Sequence, residues 1–281
     1  MPFKSVCLGL SFGEVTPKPL EGSGAAENYA IAFCARERAH LSVLIAAPIF
    51  RIPSAGFVPL THAVVDEINA ERRKHAEDAE KRITTVAATA GVTVEFQIVQ
   101  QSYPATNNSL AAAARPSDIV IISRPTYGFS LDSDLISAML FTSGRPVLAI
   151  PPYWEGGVEF DKIMVAWDGS ARAARAVGDA MPLLTRAQQI EILCVSPDAS
   201  KNIAGADLAA HLSRHSKSVT VTELQTEHRD VAKTLRDHAT MARASLFVMG
   251  AYAHPHLLQM VLGGVTSDML AEAELPVLLS Y

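Results

Sequence analysis

The chain predicts an α/β protein made of two tandem doubly wound domains, each an open parallel sheet of five strands. Three observations predict it. Short continuous apolar runs, such as Asp118-Ile119-Val120-Ile121-Ile122-Ser123, alternate with helical patterns, and strands apolar throughout are buried on both faces between crossover helices. The order of strands and helices then repeats in the second half. Between the halves, Pro151-Pro152-Tyr153-Trp154-Glu155-Gly156-Gly157 can continue neither a helix nor a central strand.

In the first half, residues 5–10 read as a strand, followed by a Gly/Pro-rich loop over 11–24. Residues 25–38 read as an Ala-rich helix and 41–46 as a second strand closed by Pro48. Residues 61–90 form a long amphipathic helix with Ala, Val and Ile on one face, stopped by Gly91. Residues 92–99 alternate as a third strand. A short Ala-rich helix over 109–114, the strand 118–123, a helix over 131–141 and a fifth strand over 146–150 complete the half.

The second half repeats this plan. Strands are expected at 162–167, 190–195, 219–224, 246–249 and 276–279, with helices at 171–184, 203–215, 230–242 and 265–273. A loop is expected between Gly250 and the last helix. Ile119-Val120-Ile121-Ile122 is answered by Leu246-Phe247-Val248-Met249, and Arg145-Pro146-Val147-Leu148-Ala149-Ile150 by Leu275-Pro276-Val277-Leu278-Leu279-Ser280. Two matched strands in the same order indicate two copies of one fold, with domains over 1–155 and 158–281.

The totals narrow the function. With 281 residues, 49% hydrophobic and 19% charged, the chain can bury two cores. A net charge of -5 argues against a nucleic-acid partner, which would call for a basic face. Cys7, Cys34 and Cys194 are far apart and odd in number, as expected of buried reduced thiols. The opening Met1-Pro2-Phe3-Lys4 leads into a strand-like run without a long apolar segment, so a secretory leader is not expected. The apolar stretches are too short to span a bilayer, and cytoplasm is the expected compartment.

In open parallel sheets, ligands bind beyond the carboxyl ends of the strands, where strand order reverses. Three features of the second half should gather there. Asp168 follows the first strand and could hold a ribose hydroxyl; alternatively Asp168-Gly169-Ser170 turns the chain and caps the next helix. Gly250 follows the fourth strand, where a missing Cβ would let a ligand approach the backbone. Gly263-Gly264-Val265-Thr266-Ser267 opens the last helix, whose free N–H groups and positive dipole end suit an anion.

Val165-Ala166-Trp167-Asp168-Gly169-Ser170, Val248-Met249-Gly250-Ala251, Leu262-Gly263-Gly264-Val265-Thr266 and Pro276-Val277-Leu278 together resemble the universal stress protein family. The resemblance covers residues 160–281 and extends more weakly over 3–151. It implies a Rossmann-like fold of the adenine nucleotide alpha hydrolase type. It also implies ATP, or AMP or ADP, as ligand, with Mg accompanying it. The family's ATP-binding members carry G-x-x-G-x(9)-G-[S/T]. Here Gly250 takes the first position, Ala253 the second, Gly263 the third and Gly264 the last, so the spacing is intact while two positions depart. By resemblance, Asp168 and Val195 flank adenine and ribose, and Gly250, Ala253, Gly263, Gly264 and Val265 line the phosphates. Thr266 could replace the hydroxyl missing at Gly264. Alanine at 253 costs about 1 kcal/mol only if that residue must be left-handed.

The first half lacks these features: Ser123-Arg124-Pro125 stands where Gly250 does, and no acid matches Asp168. It reads as a degenerate copy without a nucleotide loop. The expected protein is a regulatory rather than catalytic nucleotide binder, with no general base or metal pair for hydrolysis. The alternative is a nucleotide-free interaction module whose fifth strands pair, as a homodimer or as an intramolecular pseudo-dimer. A third reading, an enzyme using ATP on a second substrate, has only His254 and His256 near the loop to support it. His211 and His215 stand four apart on a helix, a spacing open to a metal but more readily a solvated face. Charged residues over 71–82 read as a solvated face with i,i+4 pairs. Gly9-Leu10-Ser11-Phe12-Gly13 has the letters of a nucleophile elbow but precedes a long loop, not a sharp strand-to-helix turn.

Overall fold

The computed structural model describes residues 2–12, 24–51, 62–124, 131–196, 205–216, 218–226, 230–251, 253–256, 259–262 and 264–281. Its first half runs β1 (Ser5–Ser11), α1 (Ala25–Glu37), β2 (His40–Ala46), α2 (His62–Thr89), β3 (Val94–Val99), α3 (Ala105–Ala113), β4 (Ile119–Ser123), α4 (Leu131–Thr142) and β5 (Val147–Ile150). The second half runs β6 (Lys162–Ala166), α5 (Ala171–Leu184), β7 (Gln189–Ser196), α6 (Ala206–Leu212), β8 (Val219–Gln225), α7 (Val231–Met241), β9 (Leu246–Gly250), β10 (Ala253–His256), β11 (Gln259–Leu262), α8 (Gly264–Glu272) and β12 (Val277–Ser280).

Ten strands form one sheet in the order β3-β2-β1-β4-β5-β12-β9-β6-β7-β8. Within each half all neighbours are parallel. The halves meet where β5 and β12 pair antiparallel, with Leu148 opposite Leu278. Because that one junction is antiparallel, the carboxyl ends of the two sets of strands lie at opposite rims of the sheet.

Each face of the sheet carries a core. One is filled by α1, α2, α5 and α6, through residues such as Phe33, Ile83, Leu183 and Leu212. The other is filled by α3, α4, α7 and α8, through Leu110, Met139, Leu235 and Met269. Both cores contain residues of both halves, so apolar burial, the main favourable term in folding, is continuous across the junction. Val6, Leu8, Ile119, Ile121, Ile163 and Val248 are buried on one face, and Cys7, Val120, Ile122, Met164 and Phe247 on the other. That two-sided burial is why these strands read as unbroken apolar runs. All three cysteines are free and buried, and burial pushes the Cys7 and Cys34 thiols up to about 12.

The connection between the halves is locked by local contacts. Trp154 Nε1 donates to the carbonyl of Gly157 at 2.8 Å, and a Cβ on Gly156 would stand 2.5 Å from the Trp154 ring. Beyond it, Phe160 packs edge-on against Phe33 at 6.0 Å, and Arg36 lies over the Phe160 ring. Arg186 at the end of α5 bonds Glu37 of α1 at 2.6 Å, burying that carboxylate.

Three expectations change. The short helix of the first half starts earlier, at Ala105, because the chain turns helical directly after Pro104. The last helix starts at Gly264, and the expected loop before it contains the β10–β11 hairpin, with Ala253 opposite Leu262 and His256 opposite Gln259. The charged face of α2 is not wholly solvated: Arg73 and Glu77 form the expected i,i+4 pair, but Arg82 forks onto both oxygens of Glu27 on α1 at 3.0 and 2.7 Å. The rest of the loops over 13–23, 52–61, 125–130 and 197–204 lie outside the described residues.

Candidate functional site

In the second half, strand order reverses between β9 and β6, since β7 follows β6 on one side while β9 lies on the other. A cavity of about 130 Å³ opens at the carboxyl ends of these strands. Its floor is Ala166, Trp167 and Asp168 after β6, Leu193 and Val195 of β7, and Met249 and Gly250 of β9. Its walls are Ser170 and Ala173 of the α5 start, Val231 and Leu235 of α7, and Val265 and Thr266 of α8. Most of this lining is aliphatic or aromatic. The polar groups are the Asp168, Ser170 and Thr266 side chains and the backbone at the helix starts. Such a mixture, an apolar slot with a few convergent polar groups, is the usual make-up of a small-molecule site.

Five of the eight residues singled out in the sequence therefore line one cavity: Asp168, Val195, Gly250, Val265 and Thr266. Gly264 begins α8 and is exposed. Ala253 begins β10, and Gly263 lies outside the described residues.

The geometry revises the role of several. Asp168 Oδ1 accepts from Ser170 N at 2.9 Å, Gly169 has φ +75°, and Ser170 Oγ accepts from Ala173 N at 3.1 Å, capping α5. The turn-and-cap role of Asp168-Gly169-Ser170 is thus in place, and it aims the start of α5 at the cavity. A Cβ on Gly250 would stand 2.6 Å from the Arg172 carbonyl carbon and 2.7 Å from Ala173 N. Its missing side chain lets the first turn of α5 lie on β9, a packing need that precedes any ligand. Ala253 sits in extended pairing with Leu262, so the left-handed cost expected of an alanine there does not arise. A Cβ on Gly264 would meet no described atom within 4 Å. Thr266, 1% exposed, is buried where the last helix meets the cavity.

Ala166, Trp167, Ser170, Ala173, Leu193, Val231, Leu235 and Met249 complete the lining and were not among the site residues named from the sequence. Val231 and Leu235 carried a signal, an i,i+4 apolar pair opening a helix after an edge strand. Nothing local distinguishes Leu193 or Met249 from core. Of the side signals, the His211 and His215 rings meet edge-on with centroids 5.2 Å apart, and among the described residues no cluster of three or more His, Cys, Asp or Glu side chains could hold a metal ion. Among the described residues no helix is long and apolar enough to cross a membrane.

Comparison with known proteins agrees with this architecture. The chain superposes on a universal stress protein from Archaeoglobus fulgidus with a TM-score of 0.72 at 17% identity, covering 98% of this chain and 97% of that one. It also resembles a functionally unknown protein from Pseudomonas aeruginosa, with a TM-score of 0.56 at 15% identity, covering 99% and 92%. At such identities the likeness shows the fold. No curated protein matches the chain in sequence. Residues 159–280, which build the cavity, match the universal stress protein family, and the whole ten-stranded chain has the fold of a solved member of that family.

Proposed function

We propose that the second half binds ATP or a related adenine nucleotide, and that the protein acts in a stress response by changing conformation or partner rather than by fast turnover. The observation that carries the reading is the convergence of Asp168, Val195, Gly250, Val265 and Thr266 on one cavity at the strand reversal. The adenine ring would lie among the apolar lining residues Leu193, Val195, Val231 and Leu235. The polyphosphate would then run out of the cavity toward the start of α8. There a Cβ on Gly264 would meet no described atom within 4 Å, and first-turn N–H groups suit an anion. In this reading Asp168 would meet a ribose hydroxyl, and Mg would arrive with the nucleotide. Cytoplasm is the compartment that fits this reading.

Titration of the purified protein with ATP tests it. Saturable binding below millimolar is expected; its absence would refute the proposal. A second reading, a nucleotide-free interaction module, is favoured by one observation: β5 and β12 already pair within the chain, completing the two-copy assembly. The double variant A253G/G264S separates the two. A Cβ at 264 meets no described atom within 4 Å, and binding that appears only in the double variant would favour the module.

A further inference from the structure

The antiparallel junction has a consequence for the cavity. Because β5 runs against β12, the carboxyl end of α4 in the first half lies at the rim where the second half carries its cavity. There α4 packs against β11, the strand leading into α8. At the same rim the Phe141 ring of α4 meets Tyr281 edge-on, with centroids 4.8 Å apart. The guanidinium of Arg172 lies 5.0 Å from the centre of the same Tyr281 ring. Arg172 belongs to the first turn of α5, whose backbone rests on Gly250 so closely that no Cβ fits between them. Ser170, Ala173 and Gly250, around that contact, line the cavity.

We infer that Phe141 and Tyr281 are positioning residues for this cavity: the first half, through the stack Phe141–Tyr281–Arg172, holds the first turn of α5 against β9 and so fixes one cavity wall. The inference goes beyond nucleotide binding, since it describes how the wall is held whatever the ligand. It gives the first half a function in a site to which it contributes no lining residue among those described. Tyr281 is suited to the role. Its ring makes a T-shaped contact with the first half and takes a cation over it from the second, and each contact is favourable on its own account.

Hydrogen–deuterium exchange on the full chain tests this with F141A, Y281A and Y281F. Amides of 170–175 are expected to exchange about 3- to 10-fold faster in F141A and Y281A, the effect of losing one such ring contact locally. Those of β7 and α1 should stay unchanged, and Y281F should behave as wild type because it keeps the ring. Unchanged exchange at 170–175, or an equal rise in every segment, would overturn the inference. Y281A keeps the test open should F141A fold poorly, because Tyr281 is 40% exposed. ATP titration of the same proteins adds an independent arm: affinity should fall several-fold in Y281A and recover in Y281F. If wild type binds no ATP, the nucleotide reading fails while the exchange result still decides the positioning role. If wild type binds and Y281A binds equally well, the positioning role fails.

Discussion

At the scale of single residues, Gly250 shows how one position can serve packing and a site together. It lines the cavity, yet its immediate constraint is the α5 backbone at 2.6 and 2.7 Å from where a Cβ would stand. Backbone cannot rotate away as a flexible side chain can, so the first turn of α5 must move or β9 must bend. Gly250→Ala is therefore expected to destabilise the protein by about 1–3 kcal/mol, the usual range for overpacking, despite adding only one methyl. Urea unfolding of the variant measures it, and a change below about 0.5 kcal/mol would show that α5 is free to shift. Gly264→Ser is the contrast. With no described atom within 4 Å of its Cβ position, it should leave stability nearly unaltered. Two glycines of one loop pattern thus have different physical reasons, which the spacing of the pattern does not distinguish.

At the scale of elements, Glu191 ties three strands and a helix. It stands on β7, 8% exposed. It accepts from Lys162 Nζ of β6 at 2.8 Å, Thr222 Oγ1 of β8 at 2.8 Å and His238 Nε2 of α7 at 2.7 Å. Burial pushes its pKa up, but the hydrogen bonds from Lys162, His238 and Thr222, with the Lys162 charge, outweigh burial and hold it down at about 2. A depressed carboxylate stabilises the fold above its unfolded pKa, near 4.5, and loses that contribution as pH falls toward 2. Glu191→Gln is expected to cost about 1–2 kcal/mol at pH 7, with the gap from wild type narrowing as pH drops from 4.5 to 3. A gap constant across that range in denaturant titrations would show that the charge contributes nothing. The elements themselves were largely legible in the sequence, because strands buried on both faces leave unbroken apolar runs and amphipathic helices leave their own period. Glu191 was not. Inside the run Ile190-Glu191-Ile192-Leu193 it looks like an interruption, and its partners come from 29 residues before it and from 31 and 47 after it. The β10–β11 hairpin was also missed: Ala253-His254-Pro255-His256 signals a loop, and its pairing depends on Gln259–Leu262 lying opposite.

At the scale of the whole molecule, the repeat was visible in the sequence, and so was the reversal point that collects the cavity. What sequence periodicity does not contain is the relation of the copies. Two similar apolar strand edges can pair in either direction and register, whereas the structure places Val277 opposite Ala149 and Leu279 opposite Val147. That choice sets the rims at opposite ends, brings α4 to the second half's cavity, and places Glu272 and Glu274, at the end of α8, close enough to influence Arg124 after β4. It also merges the cores, since Leu148 and Ile150 share one cluster with Ile163, Val165 and Leu278. Neither half can open without baring the other's buried strand edge, and the Glu37–Arg186 ion pair, whose carboxylate is 1% exposed in the intact chain, would separate with it. The chain is therefore expected to unfold as one cooperative unit. Trp154 and Trp167 are the two tryptophans and lie at the junction and in the second half, while helical circular dichroism reports both halves. The two signals should trace coincident curves in denaturant. Leu148→Asp, which sets a charge into the buried junction, should move both midpoints together to lower denaturant. Curves that separate in wild type, with fluorescence and dichroism reporting different midpoints, would mean that the shared sheet does not couple the halves.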